Sequence, residues 1–131
     1  MNDDDFVQAF LDCRLAGNEF DHRGHLRIAW LLLHRFPISE AIERTCNGIA
    51  RIAAHFGAPD KYNRTMSEAL VRLIAAARHN SGTQTLEQFL EVNPMFATNA
   101  RGVLANYYSH ERLTSPDAKR QFVEPDLRAL P

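Results

Sequence analysis

An all-α fold is what this sequence predicts, and three observations predict it. Apolar residues recur at helical spacing along most of the chain, no segment shows the strict alternation of a strand, and start and stop signals for helices follow one another at short intervals. The expected architecture is a compact single-domain helical bundle over residues 1–131, with about five to seven helices and short loops.

Each element has a local reason. Asp3, Asp4 and Asp5 favour a helix start, because carboxylates complement the positive end of the helix dipole. That first helix reads through FVQAFLDCRLA to Gly17, a residue suited to a C-terminal cap. Asp21 is placed to cap the second helix, which extends to about Phe36 before Pro37 breaks it. Ser39 is the expected cap of a third helix, closed by Gly57. Beyond the loop GAPDKYNR, Thr65 and Glu68 have the spacing of a reciprocal capping box at the head of a fourth helix, which frays at Asn80-Ser81-Gly82. Thr85 and Gln88 repeat that spacing for a fifth, ended by Asn93-Pro94. A further helix is expected over 99–108, and Ser115-Pro116 reads as a cap with proline at the first helical position. Residues 122–131 read as an extended tail.

Composition narrows the function. Fifteen basic against sixteen acidic residues leave a net charge of −1, which argues against a general nucleic-acid binder. No apolar run approaches the roughly 20 residues that span a bilayer, and the acidic start Met-Asn-Asp-Asp-Asp is unlike a secretory signal. A cytoplasmic protein without membrane or nucleic-acid partners is expected. Cys13 and Cys46 fall in predicted helices and read as small buried hydrophobes rather than a disulfide framework.

The stretch FDHRGHLRIAW, residues 20–30, carries the most chemistry. At about 100° per residue, Arg23, Arg27 and His34 project to one side of the second helix. His22 and His25 project with Leu26, Ala29, Leu32, Leu33 and Phe36, toward the core. His79 lies on a polar face with Glu68 and Arg72, His110 sits near a helix-to-loop transition, and His55 lies at the edge of the third helix's apolar face before Gly57. The plain alternative for the inward pair is that each imidazole is an ordinary core histidine satisfied by a carbonyl or carboxylate. Two on one face at i and i+3 weaken it, since each costs roughly 1–3 kcal/mol if left unpaired. The nearby helix N-terminus also disfavours the imidazolium, keeping the form that binds metals and accepts protons.

Two chemistries follow. Side chains at i and i+3 can share an ion, so His22, His25 and His55 form one candidate metal set for zinc or iron, with Glu19 and Asp21 as further donors; no H-E-x-x-H or C-x-x-C spacing supports it. Without metal, His22 or His25 would act as general acid or base, with Asp21 or Arg23 orienting it or the substrate. Tyr62 and Asn63 of the KYNRT loop would contribute hydrogen bonds, although Tyr62 can equally cover a core edge and Asn63 form a turn.

FDHRGHLRIAW, HFGAPDKYNRT and the late NP…YYS…RL…SPDAKRQFVEPD together resemble a family of small bacterial helical proteins of no settled activity. Its pattern is an F-D/N-H-R-x-H-L/V-x-x-A helix followed by a K-Y-H-E-T-like loop, and the likeness covers residues from about 10 to 127. His22 and His25 match the first motif, and Tyr62 and Thr65 the second. Asn63 and Arg64 stand where the resemblance implies a His-Glu pair, so a metal site completed by that histidine would be weakened or missing in this chain.

The leading expectation is a small enzyme acting on a small, partly apolar metabolite through a paired-histidine pocket. His22, His25 and Tyr62 would be catalytic, with His55, Asn63, Asp21 and Arg23 in binding roles. Isomerisation, elimination and hydrolysis all fit. The competing expectation is a non-catalytic module that binds a small molecule or a protein partner, with structural histidines and an apolar surface around Trp30. A homo-oligomer is compatible with either.

Overall fold

The computed structural model describes all residues 1–131 and contains helices and turns with no strand. The fold is all-α. Contacts between Cα atoms gather into two compact units, Met1–Tyr62 and Asn63–Pro131. No linker composition marks that boundary, which falls inside the KYNRT loop.

The first unit packs three helices: α1 (Asp3–Leu11), α2 (His22–Arg35) and α3 (Ile38–His55), with 3-10 turns at Gly17–Glu19 and Pro59–Lys61. Asn2 caps α1 ahead of the three aspartates. The helix ends earlier than Gly17. Cys13 takes the left-handed conformation (φ 56°), and the amides of Cys13 and Arg14 return to the carbonyls of Phe10 and Ala9, the double bond of a Schellman cap. Cys13 therefore lies outside the helix, half-buried, whereas Cys46 is wholly buried in α3. Asp21 caps α2 as expected. Pro37, and not Ser39, occupies the cap position of α3, without a side-chain bond. At its end Gly57 (φ 72°) supplies a second Schellman cap, with the amides of Gly57 and Ala58 bonded to the carbonyls of Ala54 and Ala53.

Phe10, Ile28, Leu32, Ala41 and Cys46 are completely shielded from solvent and form the centre of this unit. Burial of a side chain of Phe, Leu or Ile size contributes roughly 1.5–3 kcal/mol. Gly48 lets α3 approach α1: a Cβ there would overlap the Phe10 ring. Trp30 is only 4% exposed, so it does not present the apolar surface that its position suggested.

The second unit is built on one long helix, α4 (Arg64–Ser81). Around it lie α5 (Leu86–Val92), α6 (Met95–Thr98), α7 (Ala100–Leu104), α8 (His110–Leu113) and α9 (Pro116–Arg120). The expected 99–108 helix is shorter, and α6 and α8 are additional turns, which brings the helix total to nine. Thr85 and Gln88 make their capping box, and Ser115 caps α9 ahead of Pro116.

The box expected at Thr65 and Glu68 does not form. Asn63 caps α4, accepting from the Met66 amide at 2.9 Å, which moves Thr65 and Glu68 inside the helix. Thr65 then holds the tail: its hydroxyl donates to the Gln121 carbonyl at 2.9 Å and accepts from the Val123 amide at 3.1 Å. Glu68, placed on a solvated face by its spacing, is 5% exposed and clamped by Arg64 (2.8 Å) and Arg72 (2.6 Å), one turn to either side. Arg72 also lies over the Phe122 ring. No helix follows Arg120, and residues 121–131 run as extended chain and bends tied back to the unit. There the Tyr108 hydroxyl donates to the Val123 carbonyl at 2.7 Å, and the Leu127 amide to the Tyr107 carbonyl at 2.9 Å.

Candidate functional site

The site belongs to the first unit and is assembled at the start of α2. Asp21 Oδ1 accepts from the Gly24 amide at 2.9 Å, so the cap satisfies one of the open amides of the first turn. Gly24 is required there, because a Cβ would lie 2.8 Å from the Glu19 carbonyl oxygen. That close approach brings the 3-10 turn back over α2 and sets Phe20 on the His25 ring, with centroids 4.0 Å apart and planes at 28°. Phe20 leans in turn on Phe10, at 5.5 Å between centroids.

His25 Nδ1 lies 2.8 Å from the Asp21 carbonyl oxygen. A carbonyl only accepts, so Nδ1 carries the proton and, in the neutral ring, Nε2 is the acceptor. Burial pushes the His25 pKa below its ordinary value of 6.5, against the Asp21 hydrogen bond, which raises it; the His22 charge adds a smaller lowering effect. At neutral pH the ring is uncharged.

His25 opens onto a cleft of about 270 Å³ lined by Gly17, Phe20, Ile49, Ile52, Ala53, Phe56, Ala58, Lys61 and Tyr62. Ile49, Ile52 and Ala53 of α3 and its C-cap residue Phe56 recur at i, i+3, i+4 and i+7, one stripe of that helix and its end. The cleft walls are largely hydrocarbon and aromatic, with an imidazole, a phenol and an ammonium at different points. Such a mixture suits a ligand with an apolar body and a few polar groups.

Of the residues singled out from the sequence, the cleft brings together His25 and Tyr62. His22 is exposed and does not line it, so the two imidazoles do not share this cleft. The helical projection fixes only a direction around the axis. At the first residue of α2 no preceding turn covers that direction, whereas one turn later Phe20 covers His25. His55, the last residue of α3, is also exposed, with its ring edge against Phe56. No group of three or more His, Cys, Asp or Glu side chains is placed to hold a metal ion, so His22, His25 and His55 do not form the ligand set that their sequence positions allowed.

Asp21 and Arg23 line a separate, shallow depression of about 220 Å³ with Glu19 and Arg27. Its polar groups are engaged in structure: Arg27 bonds Asp3 at 2.9 Å, and Glu19 accepts from the Ala16 amide at 2.7 Å. Asn63 is 8% exposed in the second unit, where Oδ1 caps α4 and Nδ2 donates to the Leu113 carbonyl at 2.8 Å. Its amide is occupied by structural bonds, as a good N-cap residue's would be.

Sequence reasoning pointed to the start of α2, the end of α3 and the KYNRT loop, but did not single out Lys61, Phe20 or the individual residues of the α3 wall. The i, i+3, i+7 spacing of Ile49, Ile52 and Phe56 was the available signal. It is also the signal of any core-facing stripe, and only the bend at Gly57 separates the two cases. Comparison with protein-family models, with curated proteins and with solved structures finds no match to this chain.

Proposed function

We propose that this protein binds a small, partly apolar molecule in the His25 cleft, with Nε2 of His25 receiving a proton from the ligand as hydrogen-bond acceptor or general base. One observation carries this reading. The imidazole is fixed by the Asp21 carbonyl and the Phe20 ring, kept neutral by burial, and lines an apolar cleft beside Tyr62. A preset tautomer removes reorientation from the proton-accepting step. Tyr62, on the same cleft, is the second group able to exchange a proton or orient the ligand.

The paired-histidine mechanism is replaced by a single imidazole, because His22 lies outside the cleft. The same tether and stack also favour a second reading, a binding module without turnover, since they are the ordinary means of satisfying a half-buried histidine.

Amide NMR of the wild-type chain against a panel of small alcohols, amides and acids with apolar bodies tests the reading. Shifts grouped on Phe20, His25, Ile52 and Tyr62, lost in Ala53→Phe and in Ala58→Leu, are expected. A panel that leaves these residues unmoved would overturn it. For a ligand that binds, turnover abolished in His25→Gln with binding retained identifies an enzyme; binding without turnover in the wild type identifies the module.

A further inference from the structure

Resting on that reading of the cleft, we infer that its ligand is a small carboxylic acid, with the apolar body against Phe20, Ile52 and Phe56 and the carboxylate at the ammonium of Lys61.

The charge of the lining decides the class. Lys61 is the only charged residue among those that line the cleft at neutral pH, and no acidic side chain lines it. The nearest acids before α2 are turned elsewhere, Glu19 to the Ala16 amide and the Asp21 carboxylate to the Gly24 amide. A cationic ligand would find no countercharge, and a neutral one would leave the ammonium unused. Lys61 ends a 3-10 turn, Pro59–Lys61, which fixes its backbone against the end of α3 while the residue stays exposed. A lysine in such a position lays its hydrocarbon stem along apolar wall and keeps its charge at the mouth.

The helix dipoles point the same way on balance. The cleft meets the first turn of α2, the positive end, at His25. It also meets the last turn of α3, the negative end, but there the carbonyls of Ala53 and Ala54 already accept from the amides of Ala58 and Gly57. The volume of about 270 Å³ lies just below the range of roughly 300–1,000 Å³ typical of drug-sized ligands. That favours a compact metabolite over a peptide or a nucleotide. A carboxylate contact at an exposed lysine is a modest discriminator, up to about fivefold in affinity at ordinary salt.

The experiment uses matched probes, phenylacetate against phenylacetamide and hexanoate against hexanamide, titrated by amide NMR into wild-type protein, Lys61→Gln, Lys61→Glu and Ala53→Phe. In the wild type each acid should bind more tightly than its amide, by up to about fivefold, and the preference should shrink with added salt. Lys61→Gln should equalise acid and amide, Lys61→Glu should reverse their order, and Ala53→Phe should remove both. If amides bind in the cleft as tightly as acids, or if the acid preference survives in Lys61→Gln, the carboxylate assignment is wrong while the cleft remains a binding site. If neither member of any pair moves the cleft residues, both the assignment and the binding reading fall.

Discussion

The two units solve the burial of a helical chain differently. Met1–Tyr62 is held by long helices around hydrocarbon, and its one buried polar residue is Thr45. Asn63–Pro131 buries Asn63, Thr65 and Glu68, along with the hydroxyl-bearing Tyr108. Helix length explains the contrast. α2 and α3 satisfy most of their own amides and carbonyls, so the groups between them can be apolar. The second unit strings turns of four to seven residues, α5 to α9, around a single long helix. Helices that short leave many end groups open, and buried side chains must close them. Asn63 closes the Leu113 carbonyl at the end of α8 and Thr65 the Gln121 carbonyl at the cap of α9, while Thr65 and Tyr108 also satisfy the amide and carbonyl of Val123 in the extended tail. An apolar unit thus tolerates few changes of volume, and a polar one few changes of bonding.

The largest effect should come from a volume change in the first unit. Gly48→Ala sets a methyl into the Phe10 ring, which has no exposed surface into which to move. A loss of about 3 kcal/mol in chemical denaturation is expected. Combination with Phe10→Leu should cost less than the sum of the single changes, because the shorter side chain relieves the overlap. Full additivity would mean that the close approach is not the cause.

A bonding change in the second unit comes next. Glu68→Gln keeps the volume but removes the charge between Arg64 and Arg72. A loss of about 2 kcal/mol is expected, short of a fully buried pair because both arginines retain access to water. If Glu68→Gln and Glu68→Leu are equally mild, the clamp is not what holds that unit.

Smaller effects separate the units by pH. Burial raises the Tyr108 pKa to about 12 from an ordinary 10.0. Between those values the unfolded chain has lost a proton that the folded chain keeps. Stability is therefore unaffected below pH 10 and falls as pH rises toward 12. His25 acts at the opposite end. Its folded pKa lies below 6.5, so the unfolded chain binds the proton first and stability falls as pH drops under 6.5. Denaturation midpoints against pH should lose the alkaline arm in Tyr108→Phe and part of the acid arm in His25→Gln; arms unchanged in these variants would refute the assignments.

The smallest effect is a gain. Thr45 Oγ1 is buried without a hydrogen-bond partner, so Thr45→Val should be neutral or stabilising by up to about 1 kcal/mol. A clear loss in a melting experiment would reveal a hydroxyl bond formed in solution.

Local signals along the chain were reliable where a single residue decides the backbone. Asp21, Thr85, Ser115, Gly57 and Pro94 mark element ends because side-chain acceptors, free φ or a missing amide act on neighbours without help from the rest of the fold. The helical class follows from the same locality, and so does the choice of FDHRGHLRIAW as the place to look. Thr65–Glu68 misled because two overlapping caps were available: Asn63, which donates to the Leu113 carbonyl, takes the cap two residues earlier, and Thr65 is left to bond the tail.

 The Leu113 carbonyl that fixes Asn63 is fifty residues away in the chain, beyond the reach of any local pattern.

What the sequence by itself determined is the all-α class, most helix ends and the inward side of α2, because these depend on backbone preferences and on spacing within a few residues. Only the tertiary structure decided which of the two imidazoles meets a cavity, that Glu68 is buried, and that Lys61 joins His25 and Tyr62. Those outcomes depend on what covers a given direction around a helix. Cover comes from segments distant in sequence, brought close by glycines such as Gly24 and Gly48 whose missing Cβ admits a neighbouring carbonyl or ring.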